Sequence, residues 1–219
     1  MDRITRFEGI FNNFDTFHFH ILGCGAIGSS AAMQIARSGG EKFTLYDNDK
    51  VSHANIGVSQ YSFSDVGKYK VDALKDQLYE ICEDPIIIDE KDKFKDNSQY
   101  IPHGNDVIVL GFDNMSSRLQ AVEIACGVKR LKPIMMVDGR MGAQTYQQYT
   151  FKKPSLSKYK KCWYDDDSAS TEPCTAKATS YCSNMAGSFM TNAISKMANN
   201  HQYEKEILFH FPSMTLMAK

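Results

Sequence analysis

Three glycines, two acids and a cysteine carry most of the chemical information in this 219-residue chain. Gly23, Gly25 and Gly28 make a Gly-x-Gly-x-x-Gly turn. It is entered from the apolar run Phe17 to Leu22 and left through Ala26 and Ile27 into Ala31-Ala32-Met33-Gln34-Ile35-Ala36. A strand that turns into a helix through glycines is a phosphate cradle. The glycines permit the tight turn and the close backbone approach, and the helix N-terminus offers unpaired N–H groups and a partial positive charge. Asp47 lies about 20 residues beyond the turn, at the end of a second apolar run, placed to accept hydrogen bonds from ribose hydroxyls. That placement suits NAD and adenosine phosphates alike. Asp113 follows the run Val107 to Leu110, and the carboxyl ends of parallel strands are where such sheets bind ligands. Cys174 precedes an amphipathic helix, whose N-terminus favours the thiolate form that a nucleophile needs.

These residues need a scaffold that brings strand ends together, and the remaining sequence predicts one. Strands are expected at 17–22, 43–46, 86–88, 107–110 and 134–137, with helices at 26–38, 66–82 and 116–128. Short strands alternating with helices mean a doubly wound, Rossmann-like, mostly parallel α/β sheet. After 142 the pattern changes. Residues 143–151 alternate like an antiparallel strand, and 207–211 with 214–217 read as a closing hairpin, so the sheet gains an antiparallel C-terminal extension. Between them, 152–175 is polar and reads as a mobile surface loop that carries Cys174. The helix beyond it repeats apolar residues every three or four positions from Ala178 to Met197. The whole chain, 1–219, reads as one domain with an N-terminal arm at 1–15.

Composition excludes several classes. A formal net charge of −1 gives no general attraction for nucleic acid, and no apolar run approaches a membrane span. Met1 to Arg6 carries no signal-peptide pattern, so the expected location is cytoplasmic. The six cysteines include no Cys-x-x-Cys pair, which argues for reduced thiols and against a four-thiolate zinc site. Cys24 inside the glycine turn reads as structural, Cys182 as core and Cys162 as exposed. His18 and His20 alternate on the first strand and read as packing or edge residues rather than ligands.

The order of four segments is more specific than any one of them. The glycine turn is followed by Asp47-Asn48-Asp49-Lys50-Val51-Ser52-His53-Ala54-Asn55, then by Gly67-Lys68-Tyr69-Lys70, then by Asp113-Asn114 with Arg118 one helical turn on. Together they resemble the ThiF/MoeB/HesA branch of the ubiquitin-activating-enzyme superfamily, over about residues 3–198. The resemblance implies ATP-dependent adenylation of a carboxylate, with acyl-adenylate and pyrophosphate as products. It implies ATP on Gly23, Gly25, Ala26, Ile27 and Gly28. Asp47 would hold the ribose and Asn55 a phosphate, Asp49 and Gln60 would belong to the same nucleotide site, and Lys70 would neutralise the phosphates. Asp113 would hold Mg²⁺, and Arg118 would orient Asp113 or its loop. Arg3 and Arg6 resemble the family's Arg-x-x-Arg arm, which makes Arg6 a finger acting across a homodimer. Cys174 would then capture the acyl group as a thioester. The implied partner is a small ubiquitin-like or sulfur-carrier protein with a free C-terminus, ending in Gly-Gly. No zinc comes with the resemblance, because the paired cysteines of MoeB-like relatives are missing here.

One departure stands out. The family's Asn-x-x-Arg-Gln reads here Asn55-Ile56-Gly57-Val58-Ser59-Gln60, so Val58 replaces an arginine and the glutamine comes one residue late. Lys68 and Arg140 are the expected substitutes for that cation. Three other readings stay open: a non-catalytic adapter that binds a ubiquitin-like partner, an NAD-dependent oxidoreductase, and adenylation of a small carboxylate such as one on a modified tRNA.

Overall fold

The structure, a computed structural model, describes residues 5–7, 9–10, 13–95, 100–128, 130–166 and 178–219. Eight strands form one sheet in the order β3-β2-β1-β4-β5-β6-β7-β8. The parallel part comprises β1 (His18–Leu22), β2 (Lys42–Tyr46), β3 (Ile86–Glu90), β4 (Asp106–Leu110) and β5 (Met135–Gly142). Antiparallel pairing then adds β6 (Thr145–Lys152), β7 (Glu206–His210) and β8 (Thr215–Ala218). This is the doubly wound sheet with an antiparallel extension that the sequence pattern predicts.

Burial explains the order. β1 and β4 are buried along their whole length, so they read as continuous apolar runs and sit centrally. β3 lies at the edge, where Ile87 points into the core while Ile86 and Ile88 stay exposed. Helices α1 (Ala26–Arg37), α3 (Lys70–Tyr79) and α6 (Ser180–Ala198) cover one face, around Phe19, Ile35, Leu74 and Met190. Helix α4 (Met115–Gly127) and the one-turn helix α5 (Leu156–Tyr159) cover the other, around Ile108, Val122 and Tyr159. At Gly187 of α6, an added Cβ would meet Ser30 Oγ at 2.3 Å and the backbone of Ser30 at 2.7 Å, so α1 and α6 pack backbone to backbone. No described helix is long and apolar enough to cross a membrane.

Several boundaries differ from expectation for local reasons. Helix α3 begins at Lys70, not 66, because Gly67 takes φ +91 and Tyr69 bridges to Lys50. Residues 48–65 lack helical periodicity but hold the short helix α2 (His53–Ile56), started by a Ser52/Asn55 capping box. β5 runs on to Gly142 because β6 pairs with it beyond Asp138, where β4 has already ended. The stretch expected as a mobile loop from Lys152 is ordered as far as Asp166. Lys152 closes β6, Tyr159 is fully buried, and the Trp163 indole N–H donates to the Met115 carbonyl at 2.8 Å. Residues 167–177, with Cys174, lie outside the described residues.

Three histidines meet at the start of β1. His18 and His20 are buried, and His103, from the loop before β4, stacks on His18 at 3.7 Å between ring centroids. Asp106, the first residue of β4, lies against His20.

Candidate active site

The glycine turn lies where β1 ends and α1 begins. Each glycine answers a different demand. A Cβ at Gly28 would fall 1.8 Å from the Gly23 carbonyl oxygen, and one at Gly23 (φ +91) would lie 2.9 Å from the Gly111 backbone. These two residues are fixed by packing of the turn on itself and on the end of β4. Gly25 is different: a Cβ there meets nothing within 4 Å. Gly25 is also the N-cap of α1, and no side chain caps that helix among the described residues. No side chain caps the first-turn N–H groups and the space beside Gly25 is open, an arrangement that suits an anion. Both observations fit a phosphate.

Asp47, just past β2, reaches under this turn. Its Oδ2 accepts the Cys24 N–H at 2.8 Å and its Oδ1 accepts the Asp49 N–H at 2.9 Å. Burial pushes its carboxyl above the usual range, against the pull of Lys70 and these N–H groups. Lys70, at the start of α3, lies 2.8 Å from Asp49 and 3.7 Å from Asp47. Burial opposes its charge, but the two carboxylates outweigh burial and hold it above the ordinary lysine value. The sequence brings Asp47, Asp49 and Lys70 to one place as expected, although the cation here neutralises the acids. The Cys24 thiol is fully buried and pushed far up by desolvation, which fits its structural reading.

Asn55 lies in α2, and Gln60 follows it beside the start of α1. Asn55 Oδ1 accepts from Ser52 N–H at 2.8 Å, which fixes the carbonyl side of its amide. The Gln60 N–H donates to Ser29 Oγ in the first turns of α1, and its side-chain amide donates to Asn184 of α6 at 2.7 Å. Val58 is tied to α6 as well, its carbonyl accepting from Ser183 Oγ at 2.7 Å. Both expected substitutes for the lost arginine carry carboxylate partners. Lys68 pairs with Asp65 and Asp76, and Arg140 is buried against Asp138.

Beyond β4, Gly111 packs on the glycine turn and the chain continues to Asp113. Asp113 is exposed, with its Oδ1 accepting from the Asn114 side-chain amide at 3.1 Å. An exposed carboxylate on the loop that packs against the glycine turn fits Mg²⁺, which keeps several waters and takes one or two carboxylates plus phosphate oxygens. Arg118 does not face the turn. It is buried, and it donates to Asp138, to the Phe112 carbonyl and, at 2.9 Å, to the Gly139 carbonyl. Through the Phe112 carbonyl it holds the start of the loop that carries Asp113.

Sequence reading missed two acids. Asp138, in mid-β5 where pairing with β4 stops, accepts from Arg118, from Arg140 Nε and Nη2 at 2.9 and 2.7 Å, and from the Tyr159 hydroxyl at 3.1 Å. Asp166 accepts the N–H groups of Met115 and Ser116 at 2.6 and 3.1 Å, which closes the N-terminus of α4. Asp138 could have been suspected from a lone acid ending an apolar strand, whereas Asp166 is one of three consecutive aspartates and carried no signal. Cys162, expected to be exposed, is half-buried. Burial pushes its thiol up to about 11 despite Arg140 3.8 Å away. Arg6 is exposed.

The ThiF family model matches residues 8–217. This chain belongs to the ThiF family. Among curated ThiF-like relatives, the tRNA threonylcarbamoyladenosine dehydratase of Haemophilus influenzae is 28% identical over 131 residues, which is 58% of this chain and 49% of that protein. Ubiquitin-like modifier-activating enzyme 5 of Caenorhabditis elegans is 30% identical over 133 residues, 54% of this chain and 32% of that protein. The solved structure of E. coli MccB with ATP superposes with a TM-score of 0.72 at 15% identity, covering 92% of this chain and 63% of that one. PaaA gives a TM-score of 0.73 at 16% identity over 94% and 64%. The chain thus spans half the length of these curated relatives or less. At such identities the structural likeness shows the fold.

Proposed function

We propose that this ThiF-family chain is an ATP-dependent adenylating module acting on the C-terminal carboxylate of a peptide or small protein. The observation that carries the reading is the uncapped N-terminus of α1 beneath open space at Gly25, with Asp47, Lys70 and the exposed Asp113 around it. Triphosphate oxygens fit the α1 N–H groups, and ribose hydroxyls fit the remaining lone pairs of Asp47. Mg²⁺ at Asp113 would supply charge neutralisation. Lys70 would exchange one of its carboxylate partners for phosphate, adding a second cation where two anions must meet.

In this reading the substrate carboxylate attacks the α-phosphorus and pyrophosphate leaves, which yields the acyl-adenylate. The relatives support a C-terminus as substrate, through a ubiquitin-like modifier-activating enzyme and a solved complex of MccB with MccA. A ubiquitin-like or sulfur-carrier partner ending in Gly-Gly follows from the family resemblance. So do Arg6 acting across a homodimer and a cytoplasmic setting. Cys174 belongs to the same proposal: its thiolate would attack the adenylate carbonyl, form a thioester and release AMP.

A second reading is favoured by one observation. With Val58 in place of an arginine, and with Lys68 and Arg140 both paired, the phosphate end of the site has one cation fewer. That pattern suits an adapter that keeps the fold and binds the partner without turnover. Thermal stabilisation by ATP-Mg²⁺, set against NAD, separates the readings. The adenylating reading predicts a melting-temperature rise with ATP-Mg²⁺ that is lost in Asp113→Ala, since ligand well above its Kd stabilises by about 3 kcal/mol. A response to NAD alone would sink it, and no response to either would leave the adapter.

A further inference from the structure

The end of the sheet away from the glycine turn holds a second constellation. His18 opens β1, roughly 16 Å of strand from Gly23. His20 follows on the same face, and His103 reaches them from the exposed loop that leads into β4. We propose that His18, His20 and His103 form a structural binding site for one divalent transition-metal ion of the zinc class, completed by the carboxylate of Asp106.

Three features support it. One ring nitrogen from each histidine can be chosen so that all lie within 4.8 Å of one another. Tetrahedral zinc with bonds of about 2.1 Å spaces neighbouring ligand atoms by about 3.4 Å, so the set closes when the His103 ring turns out of its stack on His18 and its nitrogen moves by about an ångström or more. His103 can make that movement, because it lies on an exposed loop while the other two are fixed in the strand.

The second feature is the set of outer partners. His18 Nε2 lies 2.8 Å from the Thr44 hydroxyl, and His20 Nδ1 lies 3.1 Å from the Tyr46 hydroxyl. With those N–H groups donating outwards, His18 Nδ1 and His20 Nε2 keep lone pairs. Metal-bound histidines are oriented in this way by their other ring nitrogen.

Asp106 is the third. Its Oδ1 is 3.3 Å from His20 Nε2 and 3.6 Å from His103 Nδ1. The first is a long hydrogen bond that an ion between the two atoms would replace, and both gaps match the separation of two ligands on one ion. The His103 N–H at 3.0 Å and the Tyr100 hydroxyl at 2.9 Å hold the carboxylate in place. Imidazole with carboxylate suits zinc, and the negative charge balances a buried cation. Such an ion would clamp β1 to the loop before β4. It is independent of the nucleotide site and of any reading of that site.

The test uses the untagged full chain, stripped with a chelator and titrated with zinc by calorimetry, then with cobalt by absorption spectroscopy. The expected result is one equivalent bound, a melting temperature that rises with zinc concentration, and a cobalt spectrum without a thiolate charge-transfer band. His103→Ala, on an exposed loop, should fold and lose binding. Thr44→Val, which removes only an outer partner, should weaken it by about 10–100-fold. The inference is overturned by an absence of zinc binding, by affinity that His103→Ala leaves unchanged, or by a thiolate band that places the ion on cysteine.

Discussion

The two sides of the Gly111–Asn114 loop treat polar groups in opposite ways. Towards β1, the start of α1 has no capping side chain and Gly25 borders open space. Towards β5, Asp138 takes four hydrogen bonds from Arg118, Arg140 and Tyr159, and Asp166 closes the start of α4. Both sides lie at the carboxyl ends of parallel strands, so topology alone does not choose between them. Hydrogen-bonding capacity does. A ligand anion is favoured where donors are unused, and a knot of paired buried charges instead fixes the loop that presents Asp113. The open side leaves room for a ligand, and the closed side holds the loop in place.

The strongest way to break this comparison is to open the closed side. Asp138→Ala leaves Arg118 and Arg140 buried without their carboxylate and should cost about 3–5 kcal/mol, read as a lowered urea midpoint. Next comes the pair of glycines that the turn uses differently. Gly28→Ala drives a methyl into the Gly23 carbonyl and should cost about 3 kcal/mol by the same measurement. Gly25→Ala should change stability by less than about 0.5 kcal/mol. It should nevertheless weaken ATP-Mg²⁺ binding, because its methyl enters the space left for phosphate. Equal effects from the two glycines would erase the distinction between packing and binding.

The smallest effect is chemical. Cys162 sits beside Arg140, and a cation alone would make its thiol reactive, yet burial wins and raises it to about 11. Only about one part in a thousand is then thiolate at pH 8, so alkylation of Cys162 should be slow and rise about tenfold per pH unit up to that value. Peptide mapping after brief iodoacetamide treatment reads the rate directly. Fast labelling at pH 8 would mean that the closed side is looser than its hydrogen bonds imply.

Much of this was legible in the residues. Glycine spacing, Asp47 about 20 residues on and apolar runs of strand length determined a doubly wound sheet with a nucleotide-type turn, because backbone freedom and hydrophobic period are local properties. The same locality explains the errors. Helix α3 starts late because a bridge from Lys50 to Tyr69 constrains residues that look helical in isolation. The ordered stretch up to Asp166 looked like a loop because Tyr159, Trp163 and Asp166 find their partners in distant segments.

What the sequence by itself determined was which residue types stand at strand ends: the glycines, Asp47, Asp113 and the unusual Val58. What only the tertiary structure decided was their state of pairing. It turned Arg118 inwards onto Asp138 and paired Lys68 and Arg140, the expected substitutes for the missing arginine, with carboxylates. It also gathered His18 and His20 with His103, which is distant in the chain. Pairing depends on which segments the sheet order brings within about 3 Å, and hydrogen bonds reach no further.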